Sequence, residues 1–245
     1  MHGIGGGVRR RALRLGAAFF GLLAASSFPD AGQAATQAYV VTGFDTIRLD
    51  APVRVVIRTN AGASARGEGD RDALDRVRLT MSGTTLIVWM DAPGTGGRVS
   101  GPVTLTLTTS DLRRIMLSGG GAVTVDRIKG ERGEIFLAGG GDISVGAVAL
   151  DRLAIILSGS GRLSLAGTAG VLTADISGPG ALEAEELKAR QATIMSSGPG
   201  TASLTAVTTA AITARGSGAV TVAGTAACKV DRLGVGTISC GGKAY

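Results

Sequence analysis

Few residues in this chain combine the types and spacing that chemistry needs. The one imidazole among its 245 residues is His2. A Ser–His–Asp or Cys–His arrangement needs such a base, and His2 sits in an N-terminal segment that reads as a removable leader. A Ser–Lys pair is the nucleophilic arrangement left over, with Lys129, Lys188, Lys229 and Lys243 as its lysines. Cleavage of a polysaccharide asks for clustered carboxylates or an arginine base. The acids on offer are Asp126, Asp142, Asp151, Asp175, Glu183, Glu185 and Glu186. They share no common column of the repeat that organises the chain, so they read as solvated outward residues. Gly139–Val145 (GGGDISV) looks superficially like a calcium-binding nonapeptide roll. That roll needs an Asp in successive nine-residue repeats, and Asp142 stands alone. Neither a metal site nor a cofactor site is expected.

The elements that would position any such group come from a phased repeat. Seven turns end in a G-x-G: Gly119/Gly121, Gly139/Gly141, Gly159/Gly161, Gly178/Gly180, Gly198/Gly200, Gly216/Gly218 and Gly234/Gly236. The second glycines follow one another at 20, 20, 19, 20, 18 and 18 residues. Two and four residues after each second glycine come inward-parity residues such as Val123/Val125, Ile143/Val145, Leu163/Leu165 and Val220/Val222. Four and six before it come Leu117/Ile115, Leu137/Ile135, Leu157/Ile155 and Ile212 with Ala214. Period-two alternation puts each pair on one face of a strand. Both strands then aim their apolar side chains at one axis. A unit of this length is one coil of an all-β solenoid: a right-handed parallel β-helix with coils of about 18–20 residues. An antiparallel sandwich or barrel needs no turn that returns in phase. The glycines are expected at tight corners requiring φ > 0. Ser118, Ser158, Ser177 and Ser197 form one column beside the turn, and Thr104, Thr106 and Thr108 another hydroxyl set. Both read first as ordinary outward strand and turn residues, with a flat hydroxyl surface for ice or glycans as the functional counterpart.

Cys240 takes the inward position four after Gly236, and Cys228 has the same parity as the inward Val230. Their spacing is not C-x-x-C and no histidine accompanies them, which argues against a metal or redox pair. In an oxidising compartment they are expected to form a disulfide across the last coil. That coil is weak, because Arg232 fills the place held earlier by Leu117 or Leu157.

Arg9, Arg10, Arg11 and Arg14, the apolar Leu15–Ala25 and the small-residue AGQAA at 31–35 read as a secretory signal over residues 1–34. Its apolar core is shorter than the roughly 20 residues that span a bilayer. No membrane span is expected after cleavage, and the mature protein is expected in the periplasm or outside the cell. The precursor carries +6; removing four arginines and Asp30 leaves +3, too little and too scattered for nucleic acid. Residues 35–117 are expected to be N-terminal strands and a cap opening the helix, with a helical turn at 72–76 and a loop at 91–100. Residues 118–245 are expected to be regular coils with a C-terminal cap.

FDTIRLDAPVRVVI (44–57), GTTLIV (83–88), the series of SGxG turns from Ser118 and the closing TAACKVDRLGVGTISCGG (225–242) resemble the putative autotransporter adhesin, head GIN domain family of bacterial envelope proteins. The resemblance covers essentially all of the mature chain. It implies a β-helix whose function is a matter of inference, and it supplies no catalytic residues. No outer-membrane barrel is expected before Tyr245. The expected role is a non-enzymatic envelope protein that presents a surface, with envelope polysaccharide or an envelope protein as partner. The alternative is a carbohydrate-active enzyme on the same scaffold. Its sign would be three or more acids, or an arginine–acid group, converging in a groove.

Overall fold

The computed structural model describes His2, residues 35–93 and residues 101–245. The expected leader and most of the expected 91–100 loop lie outside these. About 66% of the chain is strand and 2% helix, in stacked coils forming a β-solenoid of about 6 turns. Among the described residues no helix is long and apolar enough to cross a membrane.

The repeat becomes a parallel ladder. Asp142 pairs with Ala122 on one side and Arg162 on the other, a step of 20 residues each way. Arg162 then pairs with Ala181, Ala181 with Thr201, Ala202 with Val220 and Val220 with Ile238. These steps of 19, 20, 18 and 18 follow the glycine spacings. The apolar residues expected inside are inside: Val123, Val125, Ile143, Leu163, Leu165, Ile135, Leu137, Ile155 and Leu157 are all buried. One continuous core runs through the stack.

The first half is less simple than a row of opening coils. β1 (Ala35–Tyr39), β2 (Thr46–Leu49), β3 (Arg54–Arg58), β4 (Ser64–Gly69), α1 (Arg71–Leu74), β5 (Val77–Ser82), β6 (Thr85–Met90), β7 (Val103–Thr108) and β8 (Arg114–Ser118) come first in sequence. β2 lies in parallel between β6 and β8, and β3 lies between β7 and β9 (Ala122–Ala138). The coil written first is therefore stacked second. β6 and β7 form the end coil beyond it, and the chain then crosses back to continue at β8. Antiparallel neighbours close this end, with β4 on β7, β1 on β4 and β5 on β6. The helical turn expected at 72–76 appears as α1, slightly earlier. The Asp70 side chain accepts from the Ala73 N–H at 3.0 Å and starts it. Ala73 and Leu74 are buried against the first coils, and the Tyr39 hydroxyl donates to the Leu74 carbonyl.

The regular coils are β9, β10 (Asp142–Leu157), β11 (Arg162–Ile176), β12 (Ala181–Ser196) and β13 (Thr201–Ala214), followed by β14 (Val220–Ala223), β15 (Ala227–Arg232), β16 (Ile238–Cys240) and β17 (Lys243–Ala244). The seven glycine pairs lie at the bends between the pre-turn and post-turn strands.

The expected reason for these glycines, a corner with φ > 0, needs correction. Only Gly119 and Gly139 enter the left-handed region, with φ of +133° and +135°. Gly159, Gly178, Gly198, Gly216 and Gly234, which fill the same column in later coils, do not. Nor does any second glycine of a pair: Gly121, Gly141, Gly161, Gly180, Gly200, Gly218 and Gly236 all stay outside it, and all are buried. The constraint there is distance between coils. Backbone bonds continue through the bend, from Gly161 N–H to Gly139 carbonyl and from Gly200 N–H to Gly178 carbonyl. A Cβ at Gly121 would stand 2.5 Å from the Ala51 carbonyl oxygen, and one at Gly198 would stand 2.7 Å from the Gly178 oxygen. At Gly141 it would collide with the Gly121 oxygen, and at Gly218 with the Gly200 oxygen. Glycine is needed because the backbone of the neighbouring coil occupies the space.

Candidate functional site

The post-turn strands present an outward column that reads, rung by rung, Thr106, Val56, Thr124, Ser144, Ser164, Glu183, Ser203, Thr221 and Ser239. Rungs in a sheet are about 4.8 Å apart, so hydroxyls recur along this face at that pitch except where Val56 and Glu183 interrupt them. The Thr104/Thr106/Thr108 set stands at its N-terminal end, on β7. The serine column beside the turns is a different feature. Ser158, Ser177 and Ser197 are exposed, and their N–H groups donate to Leu137, Leu157 and Ile176 of the coil below, each at 2.9 Å.

A trough of about 630 Å³ lies in the hydroxyl face, lined among others by Ser144, Ser164, Glu183, Glu185, Glu186 and Ser203. Its origin is a mismatch in rung length. Between Ser164 and Gly167, β11 has two residues where β12 has three between Glu183 and Leu187. β13 is shorter still, since Leu204 and Thr205 are consecutive while their partners Ala184 and Lys188 are not. The extra residues of β12 include Glu185 and Glu186, which line the trough together with Gly146 and Ala166. The Thr205 hydroxyl donates to the freed Glu185 carbonyl at 2.7 Å. Glu183 is held in place: Arg162 Nε lies 2.8 Å from its Oε1, and the Ser164 hydroxyl donates to its Oε2 at 3.1 Å. This bulge was not legible in the sequence. Its only trace was the change in glycine spacing around β12.

The structure thus draws three of the candidate acids, Glu183, Glu185 and Glu186, to one place, with Arg162 beside them. The others do not line the trough. Asp126 accepts from the Thr59 N–H and hydroxyl and ties the third coil to the second. Asp175 lies on the pre-turn face, between Ile156 and Met195. Asp142 is exposed next to Arg162. Among the described residues no group of three or more His, Cys, Asp or Glu can hold a metal.

Cys228 and Cys240 form a disulfide with Cα atoms 6.2 Å apart. Among the described residues β15 pairs with β13 alone, and β16 carries only the two-residue β17 on its outer side. The bond joins the two faces of this last coil. Arg232 does occupy the column of Ala214, but it is exposed and its guanidinium donates to the Tyr245 carbonyl at 3.1 Å.

A family model described as "Putative auto-transporter adhesin, head GIN domain" matches residues 43–226. Comparison with curated proteins found no match. Among solved structures, the chain is similar to a putative adhesin from Bacteroides fragilis at 22% identity and TM-score 0.80, covering 84% of this chain and 96% of that one. A protein from Parabacteroides distasonis described as a putative lipid binding protein is similar at 19% identity and TM-score 0.65, over 85% and 97% of the two chains. A putative adhesin from Parabacteroides merdae gives 18% and 0.64, over 85% and 96%. At these identities the likeness is one of fold.

Proposed function

We propose, from the premise that this chain belongs to the putative auto-transporter adhesin, head GIN domain family, that it is an exported, non-enzymatic envelope protein whose solenoid presents a surface for binding or adhesion. The supporting observation is the hydroxyl face with its trough. Serine and threonine hydroxyls both donate and accept. Held at sheet pitch beside a carboxylate fixed by Arg162 and Ser164, they form a rigid polar lattice suited to the hydroxyls of an extended glycan. A rigid lattice loses little entropy on binding. Residues 1–34 act as the signal, with cleavage near Ala35. Export is tested by N-terminal sequencing of protein from the cell envelope; a product starting at Met1 and held in the inner membrane overturns it. The binding role is tested by a glycan array with the mature protein, beside a pull-down from the envelope fraction. Retention of defined glycans or one envelope protein supports it, and retention of neither removes it.

A second reading has one observation in its favour. Three carboxylates line the trough and Arg162 pairs with one of them, which is the sign set for a polysaccharide-cleaving enzyme. Glu185 and Glu186 are exposed, however, and Glu183 is engaged by Arg162. General acid catalysis works best where water is excluded and one carboxyl is kept protonated. Incubation with envelope polysaccharides is expected to release no reducing ends. Turnover lost in Glu185→Gln would establish the enzyme instead.

A further inference from the structure

A second depression, of about 600 Å³, opens where the chain enters the pre-turn face. Its long side chains are Arg113, Arg114, Arg132 and Arg152, against two carboxylates, Asp45 and Glu134. The small residues Gly133 and Ala154 also line it. Two arginines are already engaged. Arg114 Nε lies 2.8 Å from Glu134 on the next rung, and Arg113 reaches Asp111 at 3.4 Å. Asp45 accepts from the Thr46 hydroxyl at 2.9 Å. Arg132 and Arg152 are different. They are register partners on adjacent parallel strands, both exposed, and no carboxylate among the described residues pairs with either. Like charges directly opposite across strands are destabilising, whereas one oxyanion placed between two guanidinium forks can be bound by both.

The surroundings point to the rest of the ligand. Thr46, Thr84, Thr85 and Thr173 add hydroxyls to the same lining. Two residues beyond Arg114, Glu134 and Ala154, and four beyond Arg132 and Arg152, runs an outward column, Met116, Phe136 and Ile156, on three successive rungs. It is half-buried to exposed and gives a nonpolar platform about 13 Å along the strands from Arg132 and Arg152. Arg48 ends the column on one side and Asp175 on the other. An apolar strip of three rungs spans only about 10 Å, short for a lipid surface. A glycan of two or more rings suits these features: an oxyanion on one ring for the free arginines, hydroxyls for the threonines and Glu134, and the C–H face of a further ring for Phe136.

Building on the binding role proposed above, we infer that this cleft takes an acidic glycan, with Arg132 and Arg152 clamping the carboxylate of a uronate-type sugar. The test is calorimetric titration of the mature protein with short oligogalacturonides at low salt, beside their methyl esters and inorganic phosphate. The acid form is expected to bind, and esterification or the double variant Arg132→Gln/Arg152→Gln is expected to weaken binding by about tenfold or more, as loss of charge-assisted hydrogen bonds implies. Lys188→Gln/Lys243→Gln removes the same charge elsewhere and is expected to leave binding unchanged. Circular dichroism and melting of each variant show that it is folded. Equal binding of acid and ester, or parent-like binding by a folded arginine variant, overturns the inference. So does binding of phosphate as strong as that of the glycan, which would reduce the site to a simple anion site. Binding of phosphatidylglycerol vesicles that needs the two arginines, without glycan binding, would replace the glycan with a lipid headgroup. If neutral glycans or an envelope protein bind independently of the arginines, the cleft is wrong while the general binding role stands.

Discussion

At Gly200 a Cβ would stand 2.5 Å from the carbonyl oxygens of both Gly178 and Gly180. Neither oxygen can yield, because each belongs to the backbone of the coil beneath. Gly200→Ala is therefore expected to cost about 1–3 kcal/mol, as overpacking against fixed backbone does. Gly120 sits in the same kind of bend, yet nothing lies within 4 Å of its missing Cβ. Gly120→Ala should stay within about 0.5 kcal/mol of the parent. Chemical denaturation of the pair separates inter-coil contact from a general liking of bends for glycine. At the opposite end of the stack, burial first and the Asp75 carboxylate second raise the Tyr39 hydroxyl above its ordinary value, with Arg78 opposing. A raised folded-state value means that the contribution to stability is complete below the unfolded value of about 10 and is lost as pH rises through the folded one. The melting temperature of the parent is expected to fall above that pH. Tyr39→Phe, with no proton to lose, should fall less steeply over the same window.

At the scale of elements, the ends of the stack need the most support, since an end coil is covered on one side only. The N-terminal end answers with antiparallel strands β1, β4 and β5 and the short α1. The C-terminal end has little more than β17 and the Cys228–Cys240 bond. Their sequence separation is 12, and closing a loop of that size is worth roughly 3 kcal/mol in the chain-entropy account. Cys228→Ser/Cys240→Ser should therefore lower stability by up to about that amount. Hydrogen exchange is expected to rise in β15 and β16 first and to leave β10 and β11 protected, because a solenoid opens from its ends. Uniform exchange along the chain would mean that the bond supports the whole fold instead.

The whole molecule behaves as a stack of near-equivalent units, and its stability should be close to a sum over coils and interfaces. Deleting residues 142–161 would bring Arg162 to the place of Asp142 beside Ala122, with Leu163 and Leu165 replacing Ile143 and Val145. That chain is expected to fold with the same circular dichroism and a modestly lower melting temperature. Deleting only 142–151 shifts the repeat by half a coil, misaligns every later inward residue and is expected to prevent folding. Measuring both by circular dichroism and thermal melting tests whether the coils are interchangeable modules.

Inward positions, coil length, parallel stacking and the cysteine pairing were all readable in the sequence. Each depends on a local quantity: side-chain alternation, glycine phase or residue parity. Such signals survive because every coil repeats the same local solution. What the sequence did not show depends on relations between coils. The return of the chain past β2 and β3 to β8 leaves no mark on local periodicity, since β6 and β7 alternate like any other strands. What demands glycine at Gly121, Gly141, Gly178, Gly198 and Gly218 is a neighbouring backbone rather than a dihedral angle, and only stacking brings that backbone near. Both depressions arise in the same way. Glu185 and Glu186 stand out because β12 is longer at its corner than β11 and β13, and Arg132 meets Arg152 because a step of 20 residues puts them on adjacent rungs. Register between coils, set by packing of the shared core, decided which of the scattered charges became neighbours.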